Sequence, residues 1–302
     1  MKILYTADWH LKETTPINRI EDDFLALQFS KINQVFKIAS DEKVDYVLHG
    51  GDVFDNWKVS NRMLGEVIRQ LKSYNPFILQ GIIGNHDVPG YNLNSIYDSS
   101  LGVLIKNKQY LNVDLFFNIK IIHTRPHATI NIEENYFNKK EKFNIIISHD
   151  MITPNEVPYE HILCSNLDGS VPIILCSHYH KPFIIVAKKT VFLNPGALTR
   201  LSIEDDYKPG VIIFEINKKQ ELIDMKRVEL SNVKSFKDAF KEVKKKDKKI
   251  DIPKFDIERA SGQNIVEKII QSGKLFNEKQ YIIDEAVKRV QDAERKISEK
   301  TL

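Results

Sequence analysis

The sequence predicts an α/β protein, a four-layer αββα sandwich with a small, mostly helical C-terminal appendage. Three observations predict it. Short β-branched runs alternate with longer helical patterns near the start, which is the signature of layered α/β packing around a mostly parallel sheet. From about residue 111 the pattern changes to closely spaced strands, enough for a second sheet packed on the first. After Leu230 the composition changes again, to a lysine-rich break followed by helical periodicity.

The elements follow in order. Ile3–Ala7 is a strand, and Ile20–Ala39 carries Phe24, Leu27, Ile32, Val35, Phe36 and Ala39 at roughly helical spacing. Val44–His49 is the next strand, Asn61–Lys72 the next helix and Phe77–Ile83 a third strand, with helical signal returning at Ser95–Ile105. The strand-rich part comprises Val113–Phe117, Ile119–His123, Phe143–Ser148, Val171–Cys176, Phe183–Ala187, Val191–Asn194, Gly210–Ile216 and Leu222–Val228. This divides the chain into a body over 1–230 and a basic linker with helices over 231–302. In the second part, Ile265, Val266, Ile269 and Ile270 form one stripe, with Asn264 and Glu267 as a capping box and Gly273 as the stop. Ile283, Val287, Val290 and Ile297 form another.

Composition narrows the functional classes. The longest apolar runs, such as Val171–Cys176, are strand-sized and too short to span a bilayer. Met1–Ala7 begins like a leader but meets Asp8 too soon, and is taken as the first strand. Cys164 and Cys176 lack a C-x-x-C spacing, so they are expected as small core residues in a reducing, cytoplasmic setting. The net charge of +3 conceals a basic tail on a mildly acidic body, compatible with nucleic acid or with a solvated helical face.

The chemistry is concentrated at strand ends. Asp8-Trp9-His10 follows the first strand, Gly50-Gly51-Asp52-Val53-Phe54-Asp55 the second, and Gly84-Asn85-His86-Asp87 the third. His149 follows Phe143–Ser148, and His178-Tyr179-His180 follows Val171–Cys176. Sheets of this kind bind ligands at the carboxyl ends of their strands. Asp8, His10, Asp52, Asn85, His149, His178 and His180 therefore form a candidate set for two divalent ions, with Asp52 able to bridge them. Oxygen and nitrogen donors without thiolate suit Mn²⁺, Fe or Zn²⁺, and two such ions can drive in-line displacement at phosphorus. One strand-end Asp or His is more often a turn residue; the ordered set is what departs from that reading. His49 is expected to be packed inside its strand, and His123, His127 and His161 to be structural or on the surface. Trp9 is expected in the core, with stacking on a base as the alternative.

In this order D-x-H, G-D-x-x-D, G-N-H-D, a lone strand-end His and H-x-H resemble the calcineurin-like metallophosphoesterases, over roughly residues 1–200. Lys2–Leu11 and Gly51–Asp55 are similar to the SbcD-type DNA-repair exonucleases, and Asn194–Arg200 is similar to the loop that closes the site in that group. The resemblance implies Asp8, His10, Asp52 and His180 on one ion and Asp52, Asn85, His149 and His178 on the other, with Mn²⁺ as the metal. It implies His86 as general acid, Asp55 as the carboxylate that orients it, and Arg200 as a substrate contact. Ser177 stands where the family usually has Gly, and strains the turn if that position needs positive φ. The implied function is a DNA exo- or endonuclease subunit in repair or recombination. Its implied partners are DNA, an SbcC-like ATPase docked on the C-terminal helices, and a second copy in a homodimer. The alternatives are a phosphoesterase on a cyclic nucleotide or phosphoprotein, and a scaffold subunit whose helices dock a partner. From the residues alone, those helices can equally pack on their own chain.

Overall fold

The computed structural model describes residues 1–112, 119–122, 145–169, 171–202, 205–219, 221–231, 233–241 and 287. The strand expected at Val113–Phe117, His123, His127, the lysine run and both C-terminal helical stripes lie outside the described residues, apart from the helical Val287. The chain divides into two units, Met1–Val243 and Lys244–Leu302.

In the first unit, β1 (Lys2–Thr6), β2 (Tyr46–His49), β3 (Leu79–Gly81) and β4 (Tyr110–Asn112) are mutually parallel neighbours, so their carboxyl ends share one edge. The antiparallel pair β11 (Gly210–Ile216) and β12 (Leu222–Glu229) extends this sheet beside β1. The second sheet runs β5 (Ile119–Ile122), β6 (Ile145–Thr153), β8 (Ile173–Ser177), β10 (Val191–Asn194), β9 (Phe183–Val186), antiparallel only at β9; β7 (Ile162–Leu163) pairs with β6.

Alternation of side chains along each strand builds the layers. Ile3, Tyr5, Leu48, Ile212 and Phe214 of the first sheet meet Ile145, Ile147, Ile173, Leu175 and Leu193 of the second in one buried cluster. The intervening Leu4, Val47, Val211 and Ile213 face α1 (Phe24–Asp41) and α2 (Asn61–Ser73). On the outer face of the second sheet, Ile146, Ile174, Cys176 and Phe192 pack with Cys164 and Leu167 of a four-residue helix. Both cysteines are buried free thiols.

Local chemistry sets the boundaries. α1 starts at Phe24 rather than Ile20 because the Asp23 carboxylate caps it, accepting from the Ala26 N–H at 2.8 Å. Ser60 does the same for α2, whose Met63, Val67 and Leu71 lie on one buried face. β4 was not expected from Tyr-Leu-Asn, which carries no β-branched run; its parallel pairing with β3 makes it a strand. The first unit also continues past Leu230. Ala239 and Phe240 are buried, the Arg19 guanidinium lies 4.8 Å from the Phe240 ring, and Lys241 N–H donates to Asn18 at 2.8 Å.

Candidate metal centre

The carboxyl ends of β1 and β2 continue as two loops zipped by their backbones. Asp8 N–H donates to Gly51, His10 N–H to Asp52 and Leu11 N–H to Val53, at 3.1, 3.1 and 2.9 Å. To bring side chains inward the loops take an unusual conformation. Among the described residues six non-glycines have positive φ, and four are Asp8 (50°), His10 (45°), Asp52 (57°) and His178 (67°). Asp and His tolerate this region better than most residues, and such strain gathers at functional sites. Glycine is required at two adjoining positions. Gly51 has φ +97° and a Cβ there would lie 2.7 Å from His149 Nδ1, while one on Gly84 would lie 2.1 Å from Asp52 Oδ1.

These loops bring all seven candidate ligands together. Asp8, His10 and His180 have ligand atoms within 4.8 Å of one another, and so do Asp52, His149 and His178. Asn85 Oδ1 is 3.0 Å from His149 Nε2, and Asp52 Oδ2 is 3.1 Å from that nitrogen and 3.5 Å from His10 Nε2. His10 and His180 face each other through their Nε2 atoms at 3.1 Å, close enough to share one proton or one cation. His178 N–H donates to the Asp8 carboxylate at 3.1–3.2 Å. His149 lies inside β6 rather than after its end, where the register against β8 shifts between Ser148 and Met151. That bulge lets a mid-strand residue turn to the site edge.

The donor set fits divalent cations. Asp52 Oδ2 is buried with the His149 and His10 ring nitrogens beside it and no backbone donor, a setting in which a cation would satisfy the carboxylate oxygen. Burial would raise the Asp52 carboxyl, but the adjacent His149 outweighs it and holds the group well below the usual carboxylate range. Asp8 goes the other way: burial pushes it up to about 6, against the opposing pull of His149 and His180. Burial lowers His10 well below its ordinary value, and lowers His178 to about 3 with help from His149, so both rings are neutral near pH 7 with a free lone pair. Burial would lower His149 too, yet the Asp52 charge and hydrogen bond raise it to about 10. Its Nδ1–H donates to the Gly50 carbonyl at 2.7 Å, so Nε2, lined by Asp52 and Asn85 oxygens, is a place for a proton or a cation.

A pH dependence follows. Without metal, His149 carries its proton until about pH 10, and a cation taking Nε2 must displace it. Between pH 6 and 8 metal affinity is expected to rise by about tenfold per pH unit, the effect of one displaced proton, and more steeply below about 6 as Asp8 also takes one up. Calorimetric titration with Mn²⁺ in buffers of different ionisation enthalpy measures this proton release; an affinity flat across that range refutes it.

Other residues depart from expectation. Ser177 does not strain the turn: it is an ordinary strand residue, and the left-handed conformation falls on His178. Its hydroxyl sits between the Gly50 and Ser148 carbonyls, at 2.6 and 2.8 Å, a tie that glycine cannot make. Asp55 holds His86 through its backbone: His86 Nδ1–H donates to the Asp55 carbonyl at 2.7 Å. The Asp55 carboxylate is instead turned to Lys12 Nζ at 2.6 Å and to His10 Nδ1 at 3.7 Å. Arg200 is buried at 4% exposure, with its guanidinium donating to the Lys234 carbonyl at 2.6 Å. It braces the chain after β12 and is not an open substrate contact. Trp9 is buried and donates to Thr6 Oγ1, while His49 is buried edge-on against it. His161 pairs with Glu156 at 2.9 Å.

The sequence reading also missed supporting residues. Asp87 accepts from the backbone N–H groups of Asp52, Gly84 and Phe54, at 2.9, 3.0 and 3.2 Å, and so fixes the loop that carries Asp52. Gln28, buried on α1, donates to the carbonyls of Trp9 and His10 at 3.1 and 2.9 Å and accepts from Lys12 N–H. A polar residue on the buried, mostly apolar face of α1 was the signal for it. The Asn194–Arg200 loop closes the site from the second sheet: Ala197 N–H donates to His180 at 2.9 Å and Leu198 N–H to Asp8 at 3.2 Å.

Comparison with known proteins agrees with this geometry. The chain is 26% identical over 252 residues to the double-strand break repair protein MRE11 of Encephalitozoon cuniculi, covering 67% of this chain and 43% of that protein. It is 26% identical over 267 residues to the SbcD component of the nuclease SbcCD of Staphylococcus saprophyticus, covering 74% and 68%. It is 24% identical over 269 residues to the DNA double-strand break repair protein Mre11 of Thermoplasma acidophilum, covering 76% and 66%. The matched part thus spans between 43% and 68% of these relatives' own lengths. The calcineurin-like phosphoesterase model matches residues 1–214, a stretch that holds the second sheet, the first sheet up to β11 and every candidate ligand, and its members use a dinuclear metal site. The chain belongs to the calcineurin-like phosphoesterase family.

Proposed function

We propose that this protein is a Mn²⁺-dependent DNA nuclease subunit of SbcD type, working in the cytoplasm in DNA repair or recombination. The observation that carries the phosphodiesterase chemistry is the convergence of Asp8, His10 and His180 beside Asp52, His149 and His178, four of them buried and the two histidines of the H-x-H pair half-buried. The relatives named as a nuclease and as double-strand break repair proteins support DNA as the substrate. Bound there, a dinuclear centre would supply Lewis acidity for displacement at phosphorus. Asp8, His10, Asp52 and His180 would hold one ion and Asp52, Asn85, His149 and His178 the other. His86, fixed through Nδ1 by the Asp55 carbonyl, presents Nε2 to the leaving oxygen as general acid. Lys12 neutralises the Asp55 carboxylate beside it. The C-terminal unit is assigned to an SbcC-like ATPase, with a homodimer as the assembled form. Among the described residues no helix is long and apolar enough to cross a membrane.

The test compares linear duplex DNA, single-stranded DNA, a cyclic nucleotide, a phosphopeptide and a small phosphodiester, each with Mn²⁺. DNA cleavage is expected to weaken steeply with salt, with a log–log slope of about −0.9 per phosphate contacted on duplex DNA. A flat salt response with rapid turnover of the cyclic nucleotide or phosphopeptide overturns the DNA assignment. Run on a protein ending at Val243, the same assays are expected to keep small-phosphodiester hydrolysis and lose co-purification with the ATPase.

A further inference from the structure

We propose that Trp57 and Tyr97 form a base-stacking platform beside the metal centre, which holds unpaired bases of a nucleic-acid strand while its backbone crosses the site. This rests on the nuclease reading and names the part of the substrate that the site selects. Both rings are large apolar surfaces left in solvent, Trp57 at 37% and Tyr97 at 57% exposure, whereas the other tryptophan, Trp9, is buried in the core. Their place in the fold is specific. Trp57 is two residues past Asp55, at most about 7 Å of chain, and Asp55 lies with His10 and His86 in a group whose ligand atoms fall within 4.8 Å.

The segment carrying Tyr97 is stitched to that loop. Ser100 N–H donates to the Trp57 carbonyl at 2.8 Å, and Val59 N–H donates to Ser100 Oγ at 3.0 Å. The two aromatic residues therefore stand on adjacent loops that follow β2 and β3, the strands that deliver Asp52 and Asn85. Each has a cation over its face, Lys58 Nζ at 6.0 Å from the Trp57 ring and Lys106 Nζ at 5.0 Å from the Tyr97 ring. A single strand fits this pairing, because its phosphates draw the two ammonium groups off the ring faces on which its bases then stack. Within a paired duplex the neighbouring pairs cover the base faces, so the platform favours unpaired or frayed ends.

The experiment uses the full chain and two oligonucleotides of equal length and charge, an oligothymidylate and its abasic counterpart, bound with Ca²⁺ in place of Mn²⁺ to slow cleavage. Wild type is expected to bind the base-bearing strand more tightly by about 5- to 150-fold per stacked base, with quenching of tryptophan emission. Trp57→Ala and Tyr97→Ala are expected to bring that ratio towards one while leaving metal content and small-phosphodiester hydrolysis unchanged. Trp57→Phe is expected to keep most of the ratio. A ratio unchanged in both alanine variants overturns the platform. So does a fall in sedimenting mass with the ratio intact, which would make the patch an interface between copies. Wild type that hydrolyses the small phosphodiester but neither binds nor cuts either strand refutes the nuclease reading itself.

Discussion

The Asp52→Asn protein is expected to lose phosphodiester hydrolysis and bound metal together while remaining folded. Asp52 sits where the two ligand groups meet, its Oδ2 near both His149 Nε2 and His10 Nε2, its Oδ1 accepting from His86 N–H at 2.8 Å. Asparagine preserves the shape and accepts the positive φ of this position, so the loop keeps its course. What disappears is one negative charge at the point where the two ligand groups meet. The largest pull that raises His149 against its burial goes with it. Retained metal with full activity would show that the two groups do not share this carboxylate. Metal analysis of the purified protein, together with its circular dichroism and hydrolysis rate, gives the three readings needed.

For His86→Ala, the expected outcome is a protein that keeps its metal and its affinity for DNA but turns over about 10²–10⁴-fold more slowly, the usual contribution of general acid–base catalysis. His86 is close enough to His10 and Asp55 to be a ligand by distance alone. The family resemblance assigns it to the leaving oxygen rather than to an ion. A carbonyl only accepts, so the Asp55 contact places a proton on Nδ1 and leaves Nε2 as the atom that can meet substrate. The Lys12 ammonium already engages the Asp55 carboxylate. Because the orienting group is a backbone carbonyl, Asp55→Asn is expected to spare the His86 geometry and to act only through Lys12 and His10. Loss of metal from His86→Ala would place His86 among the ligands and end its assignment as acid.

How much of this was legible in the sequence depends on whether an interaction is local. The β1 and β2 strand runs, the amphipathic stripe of α1 and the glycines before Asp52 and Asn85 are patterns within a few residues, so the layered α/β fold and the seven candidate ligands followed from the chain itself. Contacts across the fold were not legible. The bulge that turns His149 inward arises only when β6 pairs with β8. The hydroxyl of Ser177 has a purpose only once the Gly50 and Ser148 carbonyls lie on either side of it. Resemblance suggested that the Asp55 carboxylate orients His86 and that Arg200 meets substrate; the folded chain spends those groups on Lys12 and on the Lys234 carbonyl. Which residues are candidate ligands was written in the motif order, because ligand type is a property of single side chains. Which of their atoms face one another was decided by tertiary structure, because burial and the charge of His149 beside Asp52 exist only after both sheets have closed over the site.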